Sequence, residues 1–239
     1  MAVLTPRAKP AEPTEISEAI HPLENGDRLT RAEFERRYEA MPDLKKAELV
    51  EGEVYVASPV RHRRHGKPRG QLMTWIGTYA SITPGVEFGD NGSIRLDLDN
   101  EPQPDAYLMV EPERGGQARI SEDDYVLGAP ELVAEIASSS VSYDLGKKLN
   151  SYRRNGVREY IVWRVLDRDV DWFVLHEGRY EPLAPASDGL LRSQVFPGLW
   201  LDPAALIRGD LATVLAVVQQ GVSSPEHSDF AAGLRRSQV

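Results

Sequence analysis

Cysteine is absent from all 239 residues, which excludes disulfides, thiolate metal sites and a cysteine nucleophile. Apolar runs of the ~18 residues that a membrane-spanning helix needs are missing too. The stretch Met1–Thr30 is rich in Pro, Glu and Ala without a continuous apolar segment, so it reads as neither signal peptide nor membrane anchor, and a cytoplasmic location is expected. Positive charge is in deficit: the net charge of −9 is not the footprint of a protein held on nucleic acid by bulk attraction, so any such contact has to be local. A Ser-His-Asp arrangement, a glycine-rich phosphate loop and a His-x-x-x-His pair are also lacking, since His62 and His65 are three apart. Serine-hydrolase and nucleotide-fold readings fall away.

What is present suits an ordinary globular chain, with 41% hydrophobic and 27% charged residues. Residues 1–28 and 221–239 lack apolar periodicity and are expected to be disordered flanks around one domain over 29–220. Within it, Thr30-Arg-Ala-Glu33 is a capping-box signal for a helix to about Met41, and Ala47–Ser58 reads as a hairpin turning at Glu51-Gly52. Leu72, Trp75, Ile76 and Tyr79 form a helical stripe, with Pro68 tolerable in the first turn. The period then shifts toward two, giving strands near 86–89, 93–98, 105–110 and 131–138. A helix over about Ser142–Asn155 ends at Gly156 and leads into a strand over Val157–Val165 and an antiparallel meander through Val170–Leu175 and Tyr180–Leu183. Two short helices, Pro203–Arg208 and Asp210–Gln219, close the domain. The fold class is α/β or α+β, a mixed sheet flanked by helices.

The chemistry concentrates at Asp105, Glu135 and Lys148. Pro102 and Pro104 hold the approach to Asp105 extended, presenting its carboxylate at a strand start. Glu135 interrupts the run Leu132–Ala137, where an unpaired carboxylate is costly unless a cation or hydrogen bonds compensate. Glu131 shares its face but lies nearer the strand end and is expected to be exposed. Two carboxylates on successive strands suit a hard divalent cation such as Mg²⁺, which takes oxygen ligands and often only one or two carboxylates. On the following helix, ~100° per residue puts Lys148 at the edge of the stripe Leu145, Leu149, Tyr152 and turns Lys147 outward. Asp144, one turn before Lys148, shares its side of the helix and is placed to pair with it. Lys148→Ala is therefore expected to impair catalysis with little effect on the fold. Glu48 and His65 are further site candidates. Arg61, Arg63, Arg64 and Lys67, with Lys147, form the local basic clusters. Alternation cannot place Trp163, Trp172, Phe173 and Tyr180 all in one core, so some of these rings are expected to cover a partner surface in a homodimer.

At these residues the chain resembles the Uma family of restriction endonucleases, within the PD-(D/E)XK nuclease superfamily. The resemblance spans about Leu29–Leu206 and rests on Glu48-Leu-Val-Glu-Gly-Glu53, Ser58-Pro59 with His65, Gln103-Pro-Asp105, Leu132-Val-Ala-Glu-Ile-Ala-Ser138, Asp144 through Lys148 to Tyr152, Gly156-Val-Arg-Glu-Tyr-Ile161 and Ser193-Gln-Val-Phe-Pro-Gly198. It implies a restriction-endonuclease-like fold in which Asp105 and Glu135 bind Mg²⁺, or Mn²⁺ in its place, and water attacks a DNA phosphodiester. Glu48 joins the catalytic set, with Gln103, Asp144 and Tyr152 in support. Ala137 occupies the position where the superfamily motif carries lysine, and the resemblance assigns that role to Lys148 on the next helix. The resulting expectation is a Mg²⁺-dependent DNA endonuclease. The alternatives are a nuclease-fold module that binds nucleic acid or protein without efficient chemistry, and a hydrolase of another phosphoester.

Overall fold

The computed structural model describes residues 20–57 and 59–236; Ser58 and residues 1–19 and 237–239 of the expected flanks lie outside them. Helix α1 (Arg31–Glu39) precedes a hairpin of β1 (Ala47–Val50) and β2 (Glu53–Val56). Glu51 and Gly52 take φ angles of 55° and 70° at its turn, the paired positive values that match the right-handed twist of the strands. The hairpin packs on α1 through Leu49, Val54 and Phe34. Leu49 also exchanges both backbone hydrogen bonds with Glu101, at 2.7 and 3.1 Å, so Glu48 is tied to the segment entering Asp105.

A π-helical turn (His62–Gly66) feeds α2 (Lys67–Ile82), whose stripe Leu72, Trp75, Ile76 and Tyr79 is fully buried. Then come β3 (Val86–Gly89), β4 (Ile94–Arg95), β5 (Ala106–Val110), β6 (Arg119–Ile120), β7 (Val126–Leu127) and β8 (Leu132–Ala137). The next helix runs through three segments, α3 (Val141–Tyr143), a second π-turn (Asp144–Lys148) and α4 (Leu149–Arg154). After it stand β9 (Glu159–Arg164), β10 (Asp169–His176), β11 (Arg179–Pro182), β12 (Leu191–Arg192) and β13 (Trp200–Leu201), followed by α5 (Pro203–Arg208), α6 (Leu211–Val222) and α7 (Pro225–Arg236).

The central sheet has the order β11-β10-β9-β8-β5-β3. Its β8–β9 pair is parallel and the other pairs are antiparallel, because the 141–154 helix provides the crossover that a parallel connection needs. Strand alternation splits β8 between two cores. Leu132, Ala134 and Ile136 face α2, α5, α6 and α7, whereas Val133 and Ala137 pack with Tyr152, Tyr160 and Val162 under α4. Glu135, on the odd-numbered face, is thereby delivered to the α4 side.

Two expectations fail here. Pro225–Arg236, within the expected disordered tail, forms α7, anchored by His227, Ala231 and Leu234, a stripe whose histidine and alanine hide it from apolar periodicity. Thr83 Oγ1 and His227 Nε2 lie 2.9 Å apart, tying α7 to the end of α2. At the other flank Leu23 is buried and Gly26 N–H donates to Val54 O at 2.9 Å. The late rings also find room within one chain: Trp163 and Trp172 join the α2 core, while Phe173 and Tyr180 pack around Tyr160 on the opposite face. The homodimer loses the argument that suggested it.

Candidate active site

The register Ala106↔Ala134 sets the geometry of the acids. One step further along these antiparallel strands, Asp105 stands opposite Glu135 on the same face, where Cβ atoms are about 5 Å apart and like charges repel. Both residues are only 3% exposed. Such a pair persists only with compensation, and each acid has its own. Asp105 Oδ2 accepts the Ile136 N–H at 2.8 Å, while Oδ1 lies 3.1 Å from His65 Nε2 and 4.0 Å from Lys46 Nζ. Oδ1 is buried without an aligned hydrogen-bond donor among the described residues. Burial pushes the Asp105 carboxyl up, but His65, Lys46 and the Ile136 N–H together hold it below the ordinary aspartate value.

Glu135 is compensated from the helix. Its Oε1 accepts from Lys148 Nζ and from Tyr152 O–H, each at 2.8 Å. Lys148 Nζ also donates to Glu48 Oε1 at 2.8 Å, and that oxygen accepts the Gln103 N–H at 2.7 Å. One ammonium cannot neutralise two carboxylates. Burial, with Asp105 adding to it against Lys148, pushes the Glu135 carboxyl up to about 8. Burial works against the Lys148 ammonium, yet Glu135, Glu48 and Asp144 outweigh it and keep its proton above the ordinary lysine value.

The two lysines part as expected. Lys148 is buried, whereas Lys147 reaches the surface and bonds Glu53 Oε2 at 2.9 Å and Tyr55 O–H at 2.8 Å. The reason differs from simple α-helical spacing. In the π-turn the extra residue brings positions five apart into alignment, and Lys148 Nζ sits 5.5 Å above the Tyr143 ring. Asp144 consequently is not the ion-pair partner of Lys148; its Oδ2 accepts from Ser140 Oγ at 2.6 Å. Lys148 is also more than a stripe-edge residue, because its charge is enclosed. Sequence periodicity misses Tyr143: its hydroxyl is buried, has no hydrogen-bond partner among the described residues and lines the cleft, and the only signal was a five-residue offset from Lys148 that α-helical reasoning ignores.

The acids open into a cleft of about 980 Å³ that Arg61, Arg64, His65, Lys46 and Asn91 also line. Arg63 and Lys67 lie outside it. Gln103 contributes its backbone to Glu48 but turns its amide to Ser93 Oγ at 2.9 Å, as a brace rather than a ligand. Glu131, expected at the surface, is buried and accepts the N–H groups of Val110 and Gln117, both at 2.9 Å. Two distant motifs also meet: Glu159 accepts from Ser193 Oγ and Gln194 N–H at 2.7 Å and from Val195 N–H at 3.2 Å. It fixes the loop that buries Phe196.

Among the described residues no group of three or more His, Cys, Asp or Glu side chains is arranged to hold a metal ion. A hard cation needs no such cage, since Mg²⁺ usually keeps several waters and takes one or two carboxylates. Facing carboxylates, one with an unbonded buried oxygen, fit that donor set. No helix among the described residues is long and apolar enough to cross a membrane.

Comparison with known proteins agrees with this architecture. A solved structure from Anabaena variabilis, titled "a putative nuclease belonging to DUF820", superposes with a TM-score of 0.51 at 13% identity, covering 72% of this chain and 97% of the other. That likeness establishes a shared fold. No curated protein matches. The family model described as "Uma2: Putative restriction endonuclease" matches residues 31–204, which include both acids, Lys148 and the Glu159 loop anchor, and by this match the chain belongs to the Uma2 family.

Proposed function

We propose that this chain is a divalent-metal-dependent endonuclease that hydrolyses DNA phosphodiester bonds in the cleft. The observation that carries the reading is the facing Asp105–Glu135 pair with a buried Lys148 ammonium against it. Asp105 and Glu135 would hold Mg²⁺, or Mn²⁺ in its place, which when bound polarises a phosphoryl oxygen and lowers the pKa of water. The Ile136 N–H keeps Asp105 Oδ2 occupied and leaves Oδ1, enclosed beside His65 and Lys46, as the oxygen available to the ion. Tyr152 fixes Glu135, and Glu48 fixes Lys148. Two of the three Lys148 N–H groups are engaged by carboxylates, leaving one for the attacking water or a phosphate oxygen. Arg61 and Arg64, which have no ion pair among the described residues, supply local charge for the nucleic-acid backbone at the rim.

The test is cleavage of supercoiled plasmid with Mg²⁺ or Mn²⁺ by wild type, Asp105→Asn and Glu135→Gln. Loss in both variants is expected; equal activity in all three removes the assignment. A second reading, a module that binds nucleic acid or protein without chemistry, draws on the double clamp that holds Lys148 against Glu135 and Glu48. It predicts no Mn²⁺ uptake in calorimetric titration. The nuclease reading predicts binding that Asp105→Asn abolishes.

A further inference from the structure

The basic turn before α2 serves two hollows. Arg61, Arg64 and His65 border the cleft, whereas Arg63 and Lys67 line a second hollow of about 120 Å³ with Gln71, Arg208 and Gly209. The two lie side by side, since Ile136 on the cleft and Trp163 under the small hollow are register partners on β8 and β9.

Gln71 is the informative member. It is 8% exposed, lines the hollow, and its carboxamide makes no hydrogen bond within the described residues. The residue is mostly enclosed while its carboxamide still opens into the hollow, so its donors are free to meet a ligand there. Gly209 leaves the space for one. It ends α5 at φ 79°, and a Cβ there would lie 3.3 Å from Lys67 Nζ and 3.6 Å from Gln71 Nε2, so the ammonium and the amide converge on a spot that any other residue would fill. Among the described residues no acidic side chain lines the hollow, in a chain whose net charge is −9, and neither Arg63 nor Lys67 has an ion pair. The volume suits one tetrahedral oxyanion and is too small for a nucleoside.

We propose that this hollow seats a single phosphate group of the nucleic-acid strand, outside the cleft, with Lys67 and Arg63 supplying charge and Gln71 Nε2 the directional donor. The strand as source rests on the nuclease reading above; the seat itself does not need the metal site. It would set the strand's position along the cleft, because phosphate contacts fix register without reading sequence.

The experiment measures binding of wild type, Lys67→Met and Gln71→Leu to a short DNA duplex in EDTA across about 50–200 mM salt. Lys67→Met should lower the slope of log affinity against log salt by about one, and Gln71→Leu should weaken binding roughly tenfold without changing the slope, because it removes a hydrogen bond and no charge. Thermal melts check that both variants fold; Lys67 is exposed, so its variant stands if the buried one fails. The Gln71 side-chain amide resonances are followed by NMR with duplex and with inorganic phosphate. Shifts with both support the strand seat. A shift with inorganic phosphate alone, the slopes unchanged, assigns the hollow to free phosphate and overturns it. No shift with either, or a wild type that binds no duplex, also overturns it. Plasmid cleavage failing while the slope still drops removes the nuclease reading and leaves the phosphate seat.

Discussion

Replacing Lys148 by methionine exposes the energetics of the site before any catalysis is measured. The ammonium is buried and makes 2.8 Å bonds to Glu48 and Glu135, so its removal strands two enclosed carboxylates. Breaking a buried pair from one side costs about 3–5 kcal/mol. At ~2–4 °C per kcal/mol for a chain of this size, melting should fall by roughly 6–20 °C at pH 8. The pH dependence gives the sharper check. The Glu135 carboxyl, already raised from 4.5 to about 8, loses the group that lowers it and rises further. A raised carboxyl contributes stability that is full below the unfolded value and is lost as pH climbs through the folded one; wild type and variant therefore lose stability in parallel between about pH 4.5 and 8, and the Glu135 share of the gap should open only as pH climbs above about 8. Adding Glu135→Gln to the variant should recover part of the loss. Urea unfolding at several pH values measures all three proteins. A loss below about 1 kcal/mol at pH 8, or one independent of pH, would refute the enclosed-pair account. The expectation that lysine removal leaves the fold untouched does not survive this burial, and activity data on such variants need a folding control.

Mn²⁺ binding at pH 7 should release a proton, because Glu135 holds one up to about pH 8, and affinity should rise from pH 6 to 8 and then level; heats identical in buffers of different ionisation enthalpy would contradict this. Glu159→Gln sets an amide N–H₂ against the donors that now meet a carboxylate, and should cost about 1–3 kcal/mol in urea unfolding with faster amide exchange at Gln194 and Val195. Lys147→Ala, which removes only a surface contact with Glu53 and Tyr55, should leave the melting temperature and Mn²⁺ binding at wild-type values.

The acids were legible because each broke a local rule. Glu135 stood in an apolar strand and Asp105 followed two prolines, and antiparallel register then made them neighbours. Lys148 was legible by helical phase, although the phase used was the wrong one. Glu131 was misread because its donors, the N–H groups of Val110 and Gln117, arrive from a loop whose return no strand pattern reveals. Gly116 permits that return: a Cβ there would meet Val110 O at 1.8 Å. Helix α7 and Tyr143 escaped for a related reason. Periodicity reports neighbours along one regular element, and both depend on contacts set elsewhere or on an irregular turn.

That irregular turn changes how distance along the chain should be counted. A π-turn is an α-helix that has absorbed one more residue while the segments on either side keep their packing. Here α3 and α4 are the fixed parts, and the five residues between them are a slack loop of helix. Lys148 stands at the downstream edge of the slack, thirteen residues after Glu135. A relative with one residue fewer in the turn would present the same ammonium over the same ring at a shorter interval. What the site requires is a position in space, so a search pattern written with a fixed gap between glutamate and lysine would pass over any chain that reached it through a shorter turn.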